Sequence, residues 1–180
     1  MSAHSAADVA AELRRQIPGL GEVKLQKLLY YVQGRHLAVY SEPAFADKIV
    51  AFDMGPVVRT VWQQRYEPPA ARAITDDKLL LTVGYVVSKY GQLYGNDLIE
   101  RTHREEPWIL ADAERKRLGA RSAEISLDVM RDYFDAQGRS ARKVPDALFD
   151  QIRDRRAVGP LPPANPVDPD QLLRRVDQGV

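Results

Sequence analysis

The sequence predicts a mainly α protein: a compact single-domain helical bundle with at most a small β element near residues 48–53, plus a Pro-rich C-terminal extension. Three observations carry that prediction. Apolar residues recur at helical spacing in most segments, capping residues stand ahead of those segments, and a single short run has strand character. The helical domain is expected over residues 5–137 and the extension over residues 138–180.

Taken in order, Ser5 and Asp8 make a capping pair ahead of Val9, Leu13 and Ile17, which are spaced by four, and Pro18-Gly19 ends that helix. The next helix has the clearest stripe: Leu25, Leu28, Leu29, Val32, His36 and Val39 share one face, with Lys24, Lys27 and Arg35 away from it. Gly34 within this helix costs about 1 kcal/mol against alanine, so a neighbouring segment is expected to pack closely there. After a turn at Ser41 to Pro43, Lys48 to Phe52 is the strand candidate. Gly55-Pro56 then reads as the opening of a helix, since proline is tolerated in a first turn, with Val58, Val61, Trp62 and Arg65 on its inner side.

Thr75 reads as the cap of the following helix, whose stripe is Leu79, Val83, Val86, Val87 and Tyr90. Asn96 is the expected cap of a helix carrying Leu98, Ile99 and Thr102, and Pro107 restarts the chain with Trp108 and Leu110. Ser126 caps the last helix, Ile125 and Met130 form a hydrophobic staple across that cap, Phe134 follows, and Gly138 is the expected stop. Beyond it, Leu148, Phe149 and Ile152 mark a short amphipathic helix, followed by the prolines from Pro160 to Pro169. Such a segment docks on its own domain, stays mobile, or orders against a partner.

Composition narrows the function classes. Of 180 residues, 44% are hydrophobic, enough for an ordinary core, while the net charge of +1 gives no electrostatic reason for a nucleic-acid or membrane partner. With no cysteine, there are no disulfides, thiolate nucleophiles or cysteine-based zinc sites. Met1 to Val9 lacks the pattern of a secretory signal, and the most apolar run, Leu79 to Val87, is too short for a bilayer; a cytoplasmic location is expected.

The sequence assembles no recognisable catalytic or cofactor motif. The glycines form no phosphate-binding fingerprint and no serine sits in a nucleophile elbow, so no cofactor, metal or catalytic residue is expected. The densest run of reactive side chains is Thr102 to Trp108. Its structural reading has His103 tying one helix to the next and Trp108 anchoring the core; a metal site from His103, Glu105 and Glu106, or hydrolysis by His103 with a carboxylate, is the competing one.

Four motifs in order carry a resemblance. Lys24 to Tyr31 with Gln33-Gly34 is similar to the opening helix of the Panacea family, the SocA-like antitoxin domains of bacteria, prophages and phages. Ala51-Phe52 with Gly55-Pro56-Val57 resembles its Gly-Pro-Val turn, though the family often has tryptophan where Phe52 stands. Leu98 to Trp108 resembles its Thr-His and Pro-Trp segment, and Ile125 to Phe134 its closing helix. The resemblance implies an antitoxin that neutralises a cognate toxin, usually encoded beside it, by direct protein contact. An adaptor that delivers a client to an AAA+ protease is the alternative. Leu28, Leu29, Gly55, Pro56, His103, Pro107 and Trp108 are then motif residues that build the fold. The toxin contacts are expected at the exposed Lys24, Lys27, Tyr31 and Arg59, and at Leu148, Phe149 and Ile152 of the extension.

Overall fold

The computed structural model describes residues 4–141, with side chains through Gly138. Within them the chain runs α1 (Ala6–Gln16), α2 (Glu22–Tyr40), β1 (Ile49–Phe52), β2 (Gly55–Val58), α3 (Arg59–Gln63), α4 (Asp77–Tyr90), α5 (Gly95–Thr102), α6 (Glu106–Arg117), β3 (Ala123–Glu124) and α7 (Leu127–Ala141). This is the mainly helical fold expected from the sequence, with the β content confined to a three-stranded antiparallel sheet of order β2-β1-β3. Leu148, Phe149 and Ile152 lie outside the described residues.

Helix α2 organises everything else. Its neighbours are α1, α4, α5, α7 and strand β2, so it is covered on every side. Leu25, Leu28, Leu29 and Val32 are wholly buried, each contributing roughly 1.5–3 kcal/mol by leaving water. The expected stripe is therefore real but incomplete: Tyr30, Tyr31, Gln26, Lys27 and Gln33 are buried too, while Val39 at the helix end is exposed. A helix buried all round has little contrast between faces, which is why a one-face reading of α2 misplaced Lys27 and Tyr31.

The buried polar side chains of α2 are satisfied by distant segments. Gln26 accepts from the backbone N–H of Val58 at 2.8 Å. Gln33 donates to the Phe45 carbonyl at 3.1 Å and accepts from Ala44 and Phe45 at 2.9 and 3.2 Å, holding the loop that leads into β1. His36 pairs through Nδ1 with Thr82 of α4 at 3.0 Å. These residues thus act as spokes from one central helix to the hairpin, a loop and a second helix, because buried polar groups require partners.

Gly34 is where α7 crosses α2: a Cβ there would overlap the ring of Phe134. The expected close neighbour is therefore the closing helix. Ser5 and Asp8 form the full capping box of α1, and Ile125 and Met130 are buried at the start of α7, where Ser126 Oγ accepts from Val129 at 3.4 Å.

Several boundaries differ from expectation. Gly55-Pro56 does not open a helix; it begins β2, paired Phe52 to Gly55 and Ala51 to Pro56, and the helix starts only at Arg59. The tight turn at Asp53 and Met54 requires Gly55 at φ +96°, and proline fits a strand that lies at the sheet edge. Trp62 is consequently exposed rather than inward, as α3 is only one turn long. Asp76, not Thr75, caps α4, accepting from Lys78 at 2.9 Å. Helix α5 starts after Tyr94, whose N–H donates to Asp97 at 2.9 Å, so Asn96 already lies in its first turn. Helix α7 runs through Gly138 to Ala141.

Candidate functional site

The motif residues converge on a buried joint between α2, the β1–β2 hairpin and the α5–α6 corner. Lys27, only 1% exposed, donates from Nζ to the Pro56 carbonyl at 3.1 Å. Burial pulls its pKa down from 10.5 to about 8. A Cβ on Gly55 would stand 2.9 Å from Lys27 Cε and 3.0 Å from Thr102 Oγ1, so glycine is needed here for space as well as for its dihedral. Thr102 turns its hydroxyl back onto the Leu98 carbonyl at 2.9 Å. His103 stacks on Trp108 with ring centroids 4.1 Å apart, and Trp108 Nε1 donates to the Phe52 carbonyl at 3.2 Å.

Hence Leu28, Leu29, Gly55, Pro56, Pro107 and Trp108 are all buried, and His103 is half-buried against Trp108. Burial and the nearby Lys27 charge lower the His103 pKa. His103, Glu105 and Glu106 do not converge on a common point: His103 faces Trp108, Glu105 faces Tyr31, and Glu106 is exposed. Among the described residues no group of three or more potential ligands is gathered around a metal-sized space.

One helical turn past Lys27, Tyr31 donates its hydroxyl to Glu105 Oε1 at 3.1 Å while its ring stacks on Tyr90 at 4.0 Å. Glu105 is buried at 6% exposure, and this burial raises its pKa despite Tyr30, Tyr31 and Arg101 around it. Its Oε2 and the neighbouring Tyr30 hydroxyl both lack a partner with hydrogen-bond geometry.

Above this carboxylate opens a cleft of about 690 Å³ between α2, α4, α5 and α7, within the range of ligand and peptide clefts. Tyr31, Tyr90, Tyr133 and Phe134 supply its aromatic surface; Arg35, Lys89, Arg101 and Arg104 bring positive charge to it. Phe134 meets the rings of Tyr30 and Tyr31 edge-on at 5.5 and 6.0 Å. The Tyr133 hydroxyl is pushed up to about 12 by burial, so it stays a neutral donor.

The sequence-derived contact residues fall into two groups. Lys27 and Tyr31 are buried, which corrects the expectation that they are exposed: their helix is central, and both side chains have internal partners. Lys24 is half-buried and donates to the Gly91 carbonyl at 2.6 Å. Arg59 is exposed, bonded to Ser122 and set 5.8 Å above the Phe52 ring. The cleft residues Arg35, Lys89, Tyr90 and Tyr133 were not singled out as a site, and no spacing marks them, because they come from three separate helices.

In class, the chain is a mainly helical domain built round one buried helix, with a polar joint pinning a flanking hairpin. Residues 25–109 match the family described as antitoxin SocA-like, Panacea domain. The match spans nearly all of α2, the hairpin, α3 to α5 and the start of α6, and so includes both the joint and Glu105. The resemblance read from α2, Gly55-Pro56 and the Thr102 to Trp108 segment is thereby established, while α7 lies beyond the matched residues. No curated protein and no solved structure matches the chain.

Proposed function

We propose that the protein is an antitoxin that neutralises a cognate toxin, encoded next to it, by direct protein–protein contact. The observation that carries this reading is the Panacea-domain match over residues 25–109. The geometry is consistent with it: the motif side chains are spent on internal contacts, leaving helix faces and an open cleft for recognition. Among the described residues no helix is long and apolar enough to cross a membrane.

In this reading the domain offers one contact face, to which the exposed Arg59 and half-buried Lys24 belong. The amphipathic segment with Leu148, Phe149 and Ile152 supplies a second. The test is co-expression of the neighbouring gene product with this chain in bacteria, followed by pull-down. Relief of growth arrest with recovery of a stable complex is the expected result. A harmless neighbour that does not co-purify would overturn the proposal, and relief accompanied by disappearance of the partner would replace it by delivery to an AAA+ protease.

A further inference from the structure

The cleft above Glu105 holds charge that the domain does not use. Arg104 lies 3.6 Å from Glu100, Arg101 lies 3.7 Å from Glu105, and Asp97 accepts from the backbone N–H of Tyr94, the residue that caps α5. That leaves Arg35 and Lys89, neither of which has a carboxylate partner among the described residues. Both lean on the ring of Tyr85, the Arg35 guanidinium 4.2 Å and the Lys89 ammonium 5.5 Å from its centroid. Lys89 also donates to the Tyr85 hydroxyl at 3.2 Å. Lys89 lies 5.3 Å from the centroid of Tyr90 as well, so Tyr85 carries Arg35 and shares Lys89 with Tyr90, and the two cations flank a cleft walled by Tyr90, Leu93 and Phe134.

We propose that this cleft is an interaction surface for an acidic segment of a partner protein. An apolar or aromatic side chain of that segment seats against Tyr90, Leu93 and Phe134, and its carboxylates pair with Arg35 and Lys89. The cation–π contacts hold Arg35 over Tyr85 and Lys89 against Tyr85 and Tyr90, so less side-chain freedom is lost when a carboxylate arrives. Arg35 can meet a carboxylate with two parallel N–H groups, and aromatic walls with arginine are the residue types that dominate binding energy. Phosphate backbones fit less well. The charge around the cleft is mixed, with Asp97 and Glu100 beside Arg101 and Arg104, and Asp97 already occupies the N-terminus of α5. This surface rests on the protein-binding reading above and names the chemistry of the partner.

The test uses the intact chain and three fluorescent probes: a short peptide alternating glutamate with leucine and phenylalanine, the same peptide with lysine for glutamate, and a single-stranded oligonucleotide. The acidic peptide is expected to bind, to weaken as salt is raised, and to bind about tenfold more weakly to the double variant Arg35→Glu, Lys89→Glu. Neither substituted position carries an ion pair among the described residues, and an unchanged melting curve verifies that the variant is folded. A second variant, Tyr85→Ala, is expected to weaken binding by freeing Arg35 and loosening Lys89, which keeps only its Tyr90 contact. Equal binding of the acidic peptide by wild type and double variant, no binding at all, or preference for the lysine peptide or oligonucleotide would overturn the proposal. So would self-association of the wild type that the double variant abolishes, which assigns the cleft to a second copy. The antitoxin reading is judged separately by growth rescue: wild type and double variant rescuing equally would retain that reading and reject this surface, whereas failure of the wild type to rescue would reject the reading itself.

Discussion

Lys27 Nζ donates to the Pro56 carbonyl oxygen at 3.1 Å from inside the core, tying the central helix to the edge strand of the sheet. The bond satisfies a carbonyl that the edge strand leaves open, but it also holds an ammonium where water is scarce. The ammonium is the form that burial disfavours, and the lowered pKa of Lys27 records that cost. The pairing is therefore a link in the fold whose strength depends on pH.

With a folded pKa of about 8 and an ordinary value of 10.5, the unfolded chain binds more protons than the folded one between those values. Stability attributable to Lys27 thus rises as pH increases through this window, by up to about 3 kcal/mol. Above pH 10 the buried Tyr30 and Tyr31, whose pKa values are raised, act in the opposite direction. Urea titrations between pH 7.5 and about 10 should show the rise in the wild type and a flatter profile in Lys27→Met. An identical slope in both proteins would refute the assignment.

Glu105 works with the opposite sign. Its raised pKa means the folded state binds the extra proton just above pH 4.5, so stability falls as pH increases through that window. Asp8 and Asp112, whose pKa values are lowered, act in a separate window at lower pH. Glu105→Gln keeps an acceptor for the Tyr31 hydroxyl and removes the charge. His36 and His103, whose pKa values are lowered, act in the opposite direction below pH 6.5, so the reading is the difference between variant and wild type: Glu105→Gln is expected to lose the fall in stability just above pH 4.5.

Gly34 and Phe134 fix the crossing of α2 and α7. Gly34→Ala places a methyl group inside the space of the Phe134 ring, and such overpacking typically costs about 1–3 kcal/mol. Phe134→Leu is expected to relieve part of that cost, so the double variant should be less destabilised than the sum of the two. A double-mutant cycle in urea measures the coupling, and additive effects would show that the ring moves away freely.

Trp108→Phe removes the Nε1 donor from the Phe52 carbonyl while keeping an aromatic surface for His103. The expected loss is about 0.5–1.5 kcal/mol, the net worth of one hydrogen bond. Hydrogen exchange should localise the effect to the hairpin amides of β1 and β2, and a change spread evenly over α1 and α4 would argue against the joint as a local clamp.

Much of the helical frame was legible because its signals are local. The Ser5–Asp8 capping box, the stripe of α4 and the staple from Ile125 to Met130 each depend on residues within one or two turns. The Gly34 expectation also held, since a glycine inside a strong helix points to a close neighbour wherever that neighbour comes from. Gly55-Pro56 was ambiguous for a physical reason: the same dipeptide suits a helix start and the entry to an edge strand, and only pairing with Ala51 and Phe52 decides between them.

By itself, then, the sequence determined the mainly helical class, the order of most elements, the short strand at Ile49–Phe52 and the family that residues 25–109 match. Tertiary structure alone decided that Lys27 and Tyr31 are core residues, that Ala123–Glu124 adds a third strand, and that Glu105 lies beneath an aromatic cleft. The periodicity of one helix shows which residues share a face, but whether a polar side chain is buried depends on partners supplied from far along the chain. For Lys27 that partner is Pro56 and for Tyr31 it is Glu105, and folding alone brings them within hydrogen-bond reach.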